Sequence, residues 1–152
     1  MVKIRKASGK DFDCSLKIAK SLDKWFTKSA VESMKVDFKV NNLMVAVDKG
    51  VVGFLCYSSF EESLIVLWMG VKKDYLGKGV GSLLIDHLVK EARKLGLKNI
   101  LVETLTDKDD YEPYVKTREF YYKNGFKKVC YLNFRKKITP GYDDQILLRK
   151  LV

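Results

Sequence analysis

The chain has a single histidine, His87, in 152 residues. A cysteine nucleophile working with an imidazole base would have to use that one ring, and nothing in the sequence points to such a pair. Cysteine is scarce as well. Cys14, Cys56 and Cys130 are odd in number, far apart and without metal-ligand spacing. They read as buried free thiols in a reducing compartment, and no metal is expected. No apolar run approaches the roughly 20 residues of a membrane span. The start, Met1-Val2-Lys3-Ile4-Arg5-Lys6, does not read as a signal peptide. The expectation is a soluble, cytoplasmic protein. Acidic residues are in deficit, 19 against 29 Lys and Arg, for a formal charge of +10. Such a balance attracts anions, whether nucleic acid, acidic protein or phosphorylated cofactor, or it simply solvates the surface. The basic residues are dispersed, with short runs at Lys127-Lys128 and Arg135-Lys136-Lys137. Zinc-finger spacing and RNA-recognition signatures are missing. Neither a specific nucleic acid nor a membrane is expected as partner, and a homodimer is left open.

What is present is globular: 47% hydrophobic and 32% charged residues, enough for one domain over residues 1–152 with a sizeable core. Val2 to Arg5 alternates like an edge strand. Ser8 to Asp11 reads as the cap of a helix carrying Phe12, Leu16, Ile18, Ala19 and Leu22. A second helix is predicted from Thr27 to about Asp37, with Trp25 and Phe26 before it. Leu43–Val47, Val51–Tyr57 and Leu64–Val71 read as strands joined by turns at Asp48–Gly50 and Ser58–Ser63, an antiparallel meander. A long helix follows with an apolar face of Val80, Leu83, Leu84, Leu88, Ala92 and Leu95, and Gly96 as its stop. His87 sits at the edge of that face and reads as structural. Asn99–Leu105 is a further strand, which a right-handed crossover would make parallel to Leu64–Val71. The sheet is therefore mixed and the class α+β. The last strands are Lys127 to about Phe134 and Gln145–Leu151, joined by a loop over Arg135–Asp144 with a turn at Pro140-Gly141.

The organising stretch runs from Trp68 to Ser82. A buried strand ends at Val71, a polar turn follows, then Gly77, Gly79 and Gly81 lead into the long helix. Glycines at this spacing let the backbone approach a ligand closely. The first helical turn leaves N–H groups unpaired and adds partial positive charge. Together these suit phosphate, and Lys78 adds a point charge. The spacing is neither the dinucleotide fingerprint nor the Walker loop. By itself it is equally a tight strand-to-helix turn with no ligand.

The second informative stretch is Pro113 to Phe126. Pro113 suits the first helical position and Gly125 a C-terminal stop. Thr117, Phe120, Tyr121 and Asn124 share one helical face. Read alone, Phe120 and Tyr121 are core aromatics.

Taken together, the two stretches carry a resemblance. Val71-x-x-x-x-Leu76-Gly77-Lys78-Gly79-Val80-Gly81 resembles the acetyl-CoA-binding motif of the GNAT N-acetyltransferase superfamily, a strand ending in Val followed by Gln/Arg-x-x-Gly-x-Gly/Ala. Phe120-Tyr121-x-x-x-Gly125-Phe126 resembles the second motif of that family, in the right order and separation. Two departures stand out: Leu76 replaces the Gln or Arg, and Tyr114 replaces a frequent Asn. Tyr114-x-x-Thr117-Arg118-x-Phe120-Tyr121 is similar to a subgroup whose acceptor is unassigned. The resemblance covers about Leu43 to Leu151. It implies a mixed, mostly antiparallel twisted sheet in a three-layer α/β/α arrangement, with a CoA cleft between two splayed parallel central strands. It implies an acetyl-CoA-dependent N-acetyltransferase acting by direct attack of an amine, small molecule or protein. The alternative is a non-catalytic CoA-binding or basic interaction module on the same fold. The cofactor site it implies comprises Met69, Gly70, Val71, Leu76, Gly77, Lys78, Gly79, Val80, Gly81, Ser82, Tyr114 and Thr117.

Acyl transfer sets the remaining roles. The acceptor amine, with a reference pKa near 10.4, arrives protonated and needs a base. Glu103, a carboxylate in an apolar strand on the face of Leu101 and Leu105, is the candidate; its other reading is a salt bridge, with Arg118 as the partner to test. The oxyanion needs a donor, for which a backbone N–H of Leu64–Val71 serves. The leaving thiolate needs an acid, and the resemblance assigns this to Tyr121. Glu61 and Glu62 read as solvated turn residues. The acidic run Asp107–Asp110 either attracts a cationic acceptor or is a solvated loop.

Overall fold

The computed structural model describes residues 1–138 and 144–152. Strand β1, Lys3–Lys6, lies at one edge of the sheet, with Ile4 its one half-buried residue. Helix α1, Asp11–Ser21, starts without a side-chain cap from Ser8. Instead the Asp11 carboxylate reaches back to accept the Ser8 N–H at 2.9 Å and binds Arg5 of β1 at 2.6 Å. The Arg5 hydrogen bond holds the Asp11 carboxyl below its ordinary pKa. Helix α2, Lys28–Val40, outruns the expected end at Asp37; the Thr27 hydroxyl caps it by accepting the Ala30 N–H.

Strands β2 (Asn42–Val47), β3 (Val51–Phe60) and β4 (Ser63–Val71) form the antiparallel meander. Its second turn is tighter than expected. Strand β3 continues to Phe60, leaving Glu61 and Glu62 to reverse the chain with Glu61 at φ 52°. Helix α3, Val80–Lys94, is stopped by Gly96 at φ 71°, with the Leu97 N–H returning to the Ala92 carbonyl. Strand β5, Asn99–Leu105, keeps its expected bounds. Helix α4, Glu112–Lys123, carries Pro113 one place later than expected, in the second helical position. It ends with the Phe126 N–H on the Tyr121 carbonyl and Gly125 at φ 86°. Strand β6 covers Lys127–Leu132 and strand β7 covers Gln145–Leu151. The expected loop between them begins with a short helix α5, Phe134–Ile138. The turn at Pro140-Gly141 lies outside the described residues.

The seven strands form one sheet in the order β1-β2-β3-β4-β5-β7-β6. The β4–β5 pair is parallel and the others antiparallel. Strand β7 therefore inserts between β5 and β6, which the chain order does not announce. Alternation along the strands divides the core in two. Leu55, Leu64, Ile100 and Leu148 face Leu84, Ile85 and Leu88 of α3. Val45, Phe54 and Cys56 face Ala19 of α1 and Met34 and Phe38 of α2. The result is three layers, α1/α2, sheet, and α3 with the Tyr121 end of α4.

Three sequence expectations are corrected here. On α3 the buried face holds Ile85 and Val89, while Leu83 and Leu95 are exposed at 41% and 56%. The stripe is rotated, with Ile85 and Val89 joining Leu84, Leu88 and Ala92 in the core against the sheet. His87 lies on the exposed side. Of the cysteines only Cys56 is buried, its thiol pushed up to about 12 by desolvation. Cys14 is half-buried and Cys130 exposed.

Gly70 of β4 is required for space. A Cβ there would stand 2.7 Å from Phe54 Cε1 and 3.1 Å from Leu22 Cδ1. Gly70→Ala is expected to cost about 1–3 kcal/mol by overpacking. Urea denaturation showing less than about 0.5 kcal/mol would mean that the Phe54 ring yields freely.

Candidate active site

Strands β4 and β5 pair from Ser63 opposite Asn99 to Val66 opposite Val102, and there the pairing stops. The cause lies on the other edge of β4. Tyr57 faces Val66 and Cys56 faces Trp68, so Leu67 is an extra residue. A bulge of this kind bends its strand. Beyond it β4 stays with β3 as far as Val71 opposite Gly53, and β5 stays with β7 as far as Leu105 opposite Gln145. The sheet forks between them. The Lys72 N–H donates to the Val52 carbonyl at 2.8 Å, on the β3 side. Strand alternation then turns the N–H groups of Val71 and Met69 the other way, into the fork.

The glycine loop stands at the end of β4. Gly77 and Gly79 have φ of 74° and 80°, and a Cβ on either would meet nothing within 4 Å. They are glycine for conformation and leave open space above the backbone. Gly79 is the residue before α3, and the first helical bond runs from the Leu83 N–H to its carbonyl. The amides of Val80, Gly81 and Ser82 precede that bond, and no acidic side chain lies in the first turn. Val80 anchors the turn in the core, 1% exposed. The Leu76 side chain is exposed, and Lys78 Nζ lies 5.4 Å from the Tyr75 ring centroid.

Gly81 is glycine for a different reason. Its missing Cβ would stand 2.9 Å from the Phe120 ring and 3.2 Å from Met69 Cε. Strand β4, the start of α3, and α4 therefore meet at this point, and Tyr121 follows Phe120. Tyr121 is 6% exposed, edge-on to Phe120 and Phe126 with centroids 5.2 Å away in each case. Burial, then the nearby Tyr114, raises its phenol pKa above the ordinary value. Among the described residues its hydroxyl forms no hydrogen bond. Tyr121 lies on the α3 side of the sheet. Glu103, half-buried and opposite Leu147, shares its face of β5 with Leu101 and Leu105, away from Ile100 and Val102 of the α3 core. The two candidate groups thus flank the fork from opposite faces.

Other candidates have local partners. Thr117 Oγ1 donates to the Pro113 carbonyl, and the Tyr114 hydroxyl to the Trp25 carbonyl at 2.7 Å. Arg118 is buried, and where a pair with Glu103 was one reading, its guanidinium donates to the carbonyls of Leu105, Thr106 and Asp109. It braces the turn from β5 into α4. Asp107 is held by Lys128 at 3.0 Å and by the Tyr131 hydroxyl at 2.9 Å. Among the described residues no cluster of three His, Cys, Asp or Glu side chains could hold a metal ion, and no helix is long and apolar enough to cross a membrane. Sequence reasoning missed the Leu67 bulge and the bracing role of Arg118. The bulge leaves no composition signal, whereas an arginine between aromatic positions of a packed helix does hint at a buried role.

Residues 39–128 match the family model described as an acetyltransferase (GNAT) domain. No curated protein matches the chain. Among solved structures it is similar to a GNAT-family chain from Desulfovibrio desulfuricans, at 23% identity and TM-score 0.83 over 99% of each chain. It is similar to Ard1 from Thermoplasma volcanium, at 25% identity and TM-score 0.74 over 99% of this chain and 97% of that one. A GNAT family acetyltransferase from Elizabethkingia anophelis with acetyl-CoA bound matches at 16% identity and TM-score 0.74, over 99% and 98%.

Arg118→Ala would take a charged donor from three carbonyls, of which Thr106 keeps the Asp109 N–H, and is expected to cost about 3 kcal/mol. Lys116→Ala, which breaks only an exposed pair with Glu112, should stay within about 0.5 kcal/mol. Equal losses for the two in urea denaturation would remove the bracing role.

Proposed function

The chain belongs to the GNAT acetyltransferase family, an acetyl-CoA-dependent N-acetyltransferase, and we propose that its reaction runs through the fork between β4 and β5 with Tyr121 and Glu103 on opposite faces. The observation that carries this reading is the placement of Tyr121, a residue 6% exposed and next to the Phe120 ring that packs on Gly81 at the start of α3. The residues present fit the cofactor. Open glycines at positive φ, free amides and a first helical turn without acid form a cradle for pyrophosphate. Gly77 to Ser82 would hold it, with Lys78 as an exposed cation and Leu76 contributing backbone only. Tyr114 and Thr117 would border the cofactor from α4. Bound there, acetyl-CoA supplies an activated acyl group.

The N–H groups of Met69 and Val71, pointing into the fork beside Gly70, donate to the oxygen that gains negative charge. Glu103, on the α1/α2 side, takes the proton from the incoming ammonium. The amine attacks from that side. Tyr121, on the α3 side, donates to the departing sulfur. The single domain and the cytoplasm remain part of this proposal. The test is thiol release from acetyl-CoA measured across panels of amines, peptides and protein N-termini; no release with any acceptor would overturn it.

Gly79→Val forces a β-branched residue to φ 80° at the cradle. CoA affinity by calorimetry is expected to fall at least about tenfold, the equivalent of one lost charge-assisted hydrogen bond. Unchanged affinity in a folded variant would move the pyrophosphate elsewhere.

Tyr121→Phe keeps the rings packed and removes only the hydroxyl. The expected result is a fall in kcat of about 10²- to 10⁴-fold with KM for acetyl-CoA nearly unchanged. Single-turnover rates check this where product release limits. Activity within about twofold of the parent would return Tyr121 to a purely packing role.

A further inference from the structure

Resting on the acetyl-transfer reading, we infer that the acceptor is a small primary amine carried on an aromatic or other flat apolar group, gripped by Trp25, Phe26, Trp68 and Tyr114. These four form a continuous rim on the amine side of the fork. Trp68 is the first residue of β4 past the bulge. Phe26 meets it edge to face, centroids 6.1 Å apart and planes at 80°. Trp25, next to Phe26 in the linker between α1 and α2, reaches the start of α4. Its indole N–H donates to the Pro113 carbonyl at 3.2 Å, and the Tyr114 hydroxyl returns to the Trp25 carbonyl. Tyr111 adds a third tie, from its hydroxyl to the Lys24 carbonyl at 2.8 Å.

Two features of this rim select the ligand. Its polar atoms are spent on the protein: Trp25 on Pro113, Tyr114 on Trp25, and the Trp68 N–H on Asp37 Oδ2 at 2.6 Å. All four side chains are nevertheless only partly buried. What they offer a ligand is ring surface. The four rim side chains are themselves uncharged; the Asp37 carboxylate that borders them is engaged by the Trp68 N–H, and none of the four answers the carboxylate of an amino acid. A ring finds edges and faces, and the ammonium beside it gains attraction to the ring quadrupoles before it loses its proton. The three ties also draw the α1–α2 linker across to α4. A rim closed at that end suits a compact molecule better than an extended peptide.

The chain has two tryptophans, Trp25 and Trp68, both in the rim, so indole fluorescence reads binding without turnover. With the enzyme saturated in CoA, phenethylamine is titrated beside n-butylamine, spermidine and a short peptide with a free glycine N-terminus. Phenethylamine is expected to shift the emission with a Kd at least about tenfold below the others, as expected for one or two good ring contacts. The order of kcat/KM should follow. Phe26→Leu should weaken phenethylamine about tenfold and leave n-butylamine within about twofold, a contrast that a general loss of folding cannot produce. Trp68→Phe keeps a ring in place and should retain most of the binding, with Trp25 as sole reporter. Equal affinities for phenethylamine and butylamine, preference for spermidine or the peptide, or indifference to Phe26→Leu overturns this acceptor class while acetyl transfer stands. Failure to bind CoA by calorimetry strikes the acetyl-transfer reading itself, and this proposal with it.

Discussion

The structure turns on one interrupted ladder. Two parallel strands that pair for four residues and then part leave their inner edges without ladder partners, which a protein interior rarely tolerates. Here the exposed edges are the inside of a cleft. The parting is local because each strand keeps its outer neighbour, β3 for one and β7 for the other. The fork is thus held from both sides and does not need a ligand to stay open. The single extra residue at Leu67 bends β4 enough to aim Met69, Gly70 and Val71 at the glycine loop.

The glycines around the fork show that one residue type can answer two constraints. Gly77 and Gly79 are set by backbone conformation, with free space where a side chain would be. Gly70 and Gly81 are set by volume, the first under Phe54 and the second under Phe120 and Met69. Only the first kind leaves a surface that an anion can approach. The second kind draws α3 and α4 close enough to β4 for three separate segments to share one site. A substitution at the first pair acts mainly on binding, and at the second mainly on packing.

Legibility in the sequence followed how local each cause is. Gly96 and Gly125 were readable as helix stops because one residue in a left-handed conformation suffices. The meander was readable because short links leave antiparallel pairing as the only route. The two motif stretches were readable because their spacing is itself the chemistry. Causes that involve distant partners were not readable. The insertion of β7 between β5 and β6 depends on the whole sheet. The bulge depends on a register fixed by cores on both faces, and Arg118's role on carbonyls 9 to 13 residues away. The exposure of Leu83 and Leu95 shows the same limit, because an apolar series fixes a helix but not which side of it meets the sheet.

Burial of Tyr121 by itself argues against its proposed use as an acid, because desolvation raises its pKa and makes the proton harder to give up. The relevant quantity is a difference. In water a phenol near 10 cannot fully protonate the conjugate base of a thiol near 8.5. In a dry cleft the thiolate is desolvated too, and its own proton affinity rises for the same reason. Burial therefore lifts both partners and leaves the gap small. A small gap in a medium of low dielectric is the condition under which one hydrogen bond to a developing anion is strongest. An exposed tyrosine would keep the same intrinsic mismatch while water competed for both ends of the bond. In the proposed reaction the hydrophobic pocket of Phe120 and Phe126 would serve catalysis by excluding that competitor, and the helix stop at Gly125, which turns Phe126 back onto the ring, would be part of the same device.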